Sequence, residues 1–93
     1  MALRFEWDSR KAILNKRKHQ LTFEEASTIF GDPLSITIPD PAYSIGEDRF
    51  ITIGTSANNK LIVVVHTDHN GIIRIISARK ATAGERRQYE QGQ

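Results

Sequence analysis

The stretch from residue 49 to residue 78 constrains the fold most. It holds three segments dense in Ile, Val and Thr: Arg49–Thr55, Leu61–Asp68 and Ile72–Ala78. Short connections, Ser56–Asn59 and His69-Asn70-Gly71, separate them. β-Branched side chains suit a pleated, half-buried surface and stiffen a helix. Asn-Gly favours the tight hairpin turn whose central residues both need positive φ. Three strands joined by two short turns run up, down and up, so this stretch predicts an antiparallel meander.

The rest of the chain supplies helices. Leu3, Phe5 and Trp7 alternate with Arg4 and Glu6, the pattern of a short strand with one buried face. Asp8 then caps a helix running to about Lys18, with Ala12, Ile13 and Lys16 near one another on a narrow stripe that leaves the helix at the surface. Thr22 and Glu25 predict a capping box, and Leu21 with Ala26 a hydrophobic staple. Phe23, Ala26, Ile29 and Phe30 form the apolar face of that second helix. Gly31 is expected in a left-handed closing position before Asp32-Pro33. Leu34–Ile38 reads as a strand, and the Pro-containing stretch to Asp48 as a loop. Thr82 and Glu85 open a last helix to about Gln91. The order β-α-α-β-β-β-β-α gives an α+β fold, an antiparallel sheet packed against helices, in a single domain over residues 1–93. A chain of this length buries roughly 60–65% of its unfolded surface, so its core is thin.

The 93 residues include no cysteine, which removes disulfides and thiolate chemistry. No apolar run of signal-peptide length opens the chain, and the longest, Leu61–Val65, is far too short to span a bilayer. A soluble cytoplasmic protein is expected. Net charge is only +2, yet the charges are segregated. Arg10, Lys11, Lys16, Arg17 and Lys18 form one acid-free block. Acids alone occupy residues 20–48, and bases return from Arg49 onward. Two basic blocks meeting in space make a face for a polyanion; apart, they are solvated helix faces. His66 and His69 flank Asp68 at a turn without the ligand spacing of a functional metal site, so neither metal nor cofactor is expected. Walker, Rossmann and Ser-His-Asp signatures are absent.

An ordered set of segments resembles the BrnT family. They are Phe5-Glu6-Trp7-Asp8 with Lys11-Ala12, Asn15 and Lys18-His19; Phe23-Glu24-Glu25-Ala26 with Phe30-Gly31-Asp32-Pro33; Glu47-Asp48-Arg49-Phe50; Leu61–His66; Arg74–Arg79 with Ala81; and Glu85-Arg86-Arg87 with Tyr89. No single segment is specific; their order along nearly the whole chain is. The resemblance implies a RelE-like fold and a ribonuclease toxin that inhibits translation by cleaving RNA. It also implies a BrnA-like antitoxin with a ribbon-helix-helix part, through which alone operator DNA is bound.

Metal-free RNA cleavage needs a base for the ribose 2′-hydroxyl, cations for the charge that builds on phosphorus, and a proton donor for the leaving 5′-oxygen. Arginine suits the second task because its planar fork stays charged and binds phosphate bidentately. Arg49, Arg74 and Arg79 are the candidates, each in or at the end of a strand. Arg74 interrupts an apolar run and must face solvent, a partner or a ligand, since an unpaired buried charge is costly. Strict alternation puts Arg74 and Arg79 on opposite faces; they converge only if the chain leaves the ladder near Ser77–Ala78. His66 is a candidate acid or base, or simply a strand-end residue. Glu47, with Asp48, is a candidate base or an orienter of Arg49. Lys16, Lys18, His19 and Arg86 are candidate RNA contacts. Tyr89, the one sizeable apolar group on its helix, stacks on a base, donates to phosphate, or simply packs on the sheet.

Three readings follow: an endoribonuclease toxin, a non-catalytic RNA- or ribosome-binding module, and an interaction subunit whose basic face receives an acidic antitoxin. Arginines at sheet positions favour the first. A consensus acid–base pair is missing, and this keeps the second open.

Overall fold

In the computed structural model, residues 3–42 and 49–92 are described. The element order is β1 (Arg4–Trp7), α1 (Ser9–His19), α2 (Phe23–Ser27), a 3₁₀ turn (Thr28–Gly31), β2 (Ile36–Pro39), β3 (Arg49–Thr55), β4 (Leu61–His69), β5 (Ile72–Lys80) and α3 (Ala83–Gln91). The strands form one sheet in the order β1-β5-β4-β3-β2. β2 to β5 are the expected antiparallel run. β1 instead pairs parallel with β5, with Trp7 opposite Ile75, a long-range pairing that no local turn signals.

Local chemistry explains most boundaries. The Asp8 carboxylate accepts from the N–H groups of Arg10 and Lys11 and starts α1. Gln20, at φ 56°, closes it in the left-handed conformation. Thr22 accepts from the Glu25 N–H, but the Glu25 carboxylate turns away to the Ser56 hydroxyl, so this capping box is half formed. Gly31 does not take the expected left-handed conformation. The chain tightens into the 3₁₀ turn, and the Asp32 N–H donates to the Ile29 carbonyl. That bond meets a carbonyl left over at the helix end without a left-handed residue. β2 starts two residues later than expected, because Asp32 Oδ1 accepts from the Leu34 N–H and holds a turn there. Asn70 and Gly71 both have positive φ, as a tight hairpin requires. Thr82 and Glu85 form the complete capping box of α3.

The helices lie unequally on the sheet. Leu21, Phe23, Ala26 and Ile29 pack with Ile62, Val64, Ile73, Ile75 and Ala78 on one face. Gly54 lets the 3₁₀ turn come close to β3: a Cβ there would sit 3.1 Å from the Ile29 Cβ and 3.2 Å from the Ser35 Cβ. Asn15, the buried residue of α1, donates to the Leu21 carbonyl and accepts from the Ala78 N–H, which ties α1 to β5. The opposite face carries a smaller cluster of Ile53, Leu61 and Val63, with Ile51, Ala81 and Tyr89 against it. α3 contacts β3 from that side and has no buried residue of its own.

Candidate active site

A β-bulge decides where the arginines go. His66 pairs with Ile75, but the next partner of Val65 is Ser77, leaving Ile76 unopposed. One extra residue shifts the side-chain alternation by one step. Arg74 then pairs with Thr67, and Arg79 with Val63, so both stand on the face opposite α1 and α2. Arg49 pairs with Thr67 from the other side and belongs to the same face. Arg49 and Arg74 thus bracket Thr67 across two strand spacings, about 10 Å between backbones. Arg79 lies four β4 residues further along, about 13 Å.

Each arginine meets a different environment. Arg79 is held by Glu85 in a two-pronged ion pair, with 2.7 and 2.8 Å between nitrogen and oxygen. That hydrogen bonding holds the Glu85 carboxyl down at about 2 and pushes the Arg79 guanidinium up. Glu85 Oε1 also accepts from the Thr82 N–H, so the box that starts α3 also orients Arg79. Arg74 Nη1 is 3.8 Å from Glu6 Oε1 with both groups half exposed, a loose surface pair. Glu47 and Asp48, the acids preceding Arg49, lie outside the described residues.

Among the candidate RNA contacts, Lys18 and His19 join Arg79. With Gln20, Lys80 and Thr82 they line a groove of about 390 Å³ between the end of α1 and the end of β5. Lys16 lines a separate groove with Ala12, Ile13 and Phe23, on the α2 side of α1. Arg86 is exposed on α3. Tyr89 packs against the smaller cluster, and its hydroxyl donates to Asp32 Oδ2 at 2.6 Å and stands 3.2 Å from Thr55 Oγ1. The bond to Asp32 pushes the Tyr89 phenol up. Burial raises the Asp32 carboxyl, but the bonds from Tyr89, Thr55 and Leu34 outweigh it and bring the group down. Tyr89 therefore anchors α3.

His66 stands apart from the arginines. It is 3% exposed and lies on the helix side of the sheet, with the Phe30 ring edge-on at 4.9 Å and the Phe50 ring stacked at 5.9 Å. Its Nε2 is 2.7 Å from the Thr52 hydroxyl, itself 2.7 Å from the Thr37 hydroxyl. Burial pushes the imidazole down. The Thr67 backbone and the Asp68 charge pull the other way, but no acceptor meets Nδ1 in hydrogen-bonding geometry. The ring is neutral, and the sheet separates it from the arginines.

Two features escaped the sequence. Glu85 is visible there only as a capping residue, although a carboxylate six positions past a strand-end arginine is a usable signal. The link from Tyr89 to Asp32 joins residues 57 positions apart and has none. Among the described residues no three His, Asp or Glu side chains gather as ion ligands, and no helix is long and apolar enough to cross a membrane.

Comparison with known proteins agrees with this fold. The sequence has no match among curated proteins. The fold is similar to that of the Brucella abortus ribonuclease toxin BrnT, known from a 1.1 Å crystal structure, with a TM-score of 0.68 and 24% identity over 87% of this chain and 99% of that one. The family described as "Ribonuclease toxin, BrnT, of type II toxin-antitoxin system" matches residues 7–85, a span that takes in Arg49, Arg74, Arg79 and Glu85. The chain therefore belongs to the BrnT family of ribonuclease toxins of type II toxin–antitoxin systems.

Proposed function

We propose that this chain acts as a single domain in the cytoplasm, cleaves RNA without a metal ion and thereby inhibits translation, until a BrnA-like antitoxin with a ribbon-helix-helix part covers it. The observation that supports this reading is the bulge at Ile76, which brings Arg74 and Arg79 to the face of the sheet that Arg49 also occupies. Arginines placed in this way stabilise charge as it develops on phosphorus. The ribose 2′-oxygen attacks the adjacent phosphorus while the bond to the 5′-oxygen breaks. A 2′,3′-cyclic phosphate and a 5′-hydroxyl remain, the leaving 5′-oxygen taking its proton from solvent water. Glu47, two positions before Arg49, is the base assigned to the 2′-hydroxyl proton. Lys18 and His19 hold the strand beside Arg79, while Lys16 and Arg86 make outlying phosphate contacts. His66 and Tyr89 support the sheet and α3 and do not touch RNA.

The test is incubation of the purified chain with RNA in EDTA, with and without its antitoxin. Cleavage that leaves cyclic phosphate ends, survives EDTA and stops on adding antitoxin is expected. Loss of cleavage in EDTA with recovery on one particular divalent ion would overturn the metal-free chemistry. RNA binding without cleavage under every condition would favour the non-catalytic module.

A further inference from the structure

α1 is helical along its whole length, yet it buries little. Its one buried residue is the polar Asn15, and Ala12 is half-buried against the core. The two largest aliphatic side chains of the helix point the other way: Ile13 is 56% exposed and Leu14 61% exposed. Positions 10, 13, 14, 17 and 18 follow the i, i+3, i+4, i+7, i+8 spacing that makes one helical stripe. The outer stripe of α1 is therefore Arg10, Ile13, Leu14, Arg17 and Lys18, with all three cations exposed. It is an aliphatic centre with a cation at one end and two at the other.

Isolated exposed apolar residues need no explanation. Here two are adjacent, and each adjoins a groove. Ile13 borders the groove shared with Phe23, and Leu14 a groove shared with Ile76 and Ser77. An apolar centre with a charged rim is the usual anatomy of a protein-binding surface. RNA favours a different arrangement, since phosphates need only the cations and bases stack on aromatic or guanidinium planes rather than on aliphatic chains.

We propose that this stripe is the docking surface for an acidic amphipathic segment of the antitoxin. Aliphatic side chains of that segment cover Ile13 and Leu14, and carboxylates on either side meet Arg10, Arg17 and Lys18. This rests on the toxin reading above and adds the place and chemistry of the contact. It also supplies a route to neutralisation. Lys18 lines both the groove beside Leu14 and the groove that holds Arg79. A segment running toward the C-terminal end of α1 carries its carboxylates to the place where RNA would meet Arg79.

The test is a pair of charge-preserving variants, Ile13→Ser and Leu14→Ser, titrated as the full chain with the purified cognate antitoxin and, separately, with RNA. Both side chains are exposed, so the melting temperature should stay close to that of wild type. Each substitution should weaken antitoxin binding about tenfold and the pair about a hundredfold, with RNA binding unchanged. Arg17→Glu should weaken antitoxin binding by at least as much and lessen its salt dependence. Leu34→Ser, at an exposed leucine outside α1, should change neither titration. Antitoxin binding that survives the double variant would overturn the proposal, as would a loss of RNA binding as large as the loss of antitoxin binding, which would assign the stripe to RNA. If the wild-type chain binds antitoxin but cleaves no RNA, the ribonuclease reading fails while the docking surface is still decided by the antitoxin titration.

Discussion

Among the described residues, the buried ionisable group on the α1–α2 side of the sheet is one histidine, packed between Phe30 and Phe50, and burial favours its neutral form. On the other side stand the arginines, with carboxylates beside two of them. One is locked to a carboxylate and one is loosely paired at the surface. Both faces grow from the same strands, and His66 is adjacent in sequence to Thr67, which the arginines bracket. A β-strand separates chemically opposite environments by one residue, so a single inserted residue reassigns every position beyond it. On the proposed reading, the α1–α2 side serves structure and the arginine side chemistry.

The largest expected effect lies on the arginine side. Arg79→Ala should lower the single-turnover cleavage rate at saturating protein by about 10²-fold or more, by analogy with losing one donor to a developing charge. RNA affinity should change little. Arg79→Lys should recover only part of the loss, because a point charge cannot replace the two-pronged fork. Normal cleavage at saturation by Arg79→Ala would make Arg79 an ordinary phosphate contact and pass the catalytic role to Arg49 and Arg74.

The helix side should show the reverse pattern. His66→Ala removes a ring that is 3% exposed together with its bond to Thr52, and should cost about 2–3 kcal/mol of stability. The cleavage rate per folded molecule should not change. The pH dependence follows from the same burial. The folded chain resists protonating His66, whereas the unfolded chain takes up a proton near the ordinary value of 6.5. Stability is therefore full above 6.5 and falls as pH drops below it, toward the depressed folded value. Thermal melts between pH 7.5 and 5.5 should show this slope in wild type and a shallower one in His66→Ala. A cleavage rate that collapsed with His66 while stability held would merge the two faces into one site.

What the sequence revealed follows from how local each cause is. The β3–β5 meander was legible because β-branched density and Asn70-Gly71 are local signals, and the α3 cap because Thr82 and Glu85 lie three residues apart. The convergence of Arg74 and Arg79 was legible only as a condition, a break in alternation near Ser77–Ala78. The bulge itself falls at Ile76, and its position depends on the register of β4, a partner strand. Gly31 failed as a left-handed terminator because 3₁₀ tightening against β3 made one unnecessary. The parallel pairing of β1 with β5 and the placement of His66 away from the arginines are set by packing across the sheet. No window of sequence contains either.

The smallest expected effect lies where the two sides meet, at the groove that joins Lys18 and His19 of α1 to Arg79. Lys18 is exposed and on the α1 layer, so it can hold a phosphate but stands apart from the arginines proposed to face the reacting bond. Lys18→Ala should weaken RNA binding several-fold and leave single-turnover cleavage at saturation nearly intact. Removing one phosphate contact to a single strand releases about 0.7 fewer counterions, so a plot of log affinity against log salt should flatten by about that much. The change is small and needs binding measured at several salt concentrations. It sharpens the comparison because the two substitutions should separate cleanly: Arg79→Ala acts on rate and not on affinity, and Lys18→Ala on affinity and not on rate. Should Lys18→Ala slow cleavage at saturation as much as Arg79→Ala does, the reacting phosphate would sit in the groove itself. The catalytic centre would then span α1 and β5 rather than lie on the arginine face alone.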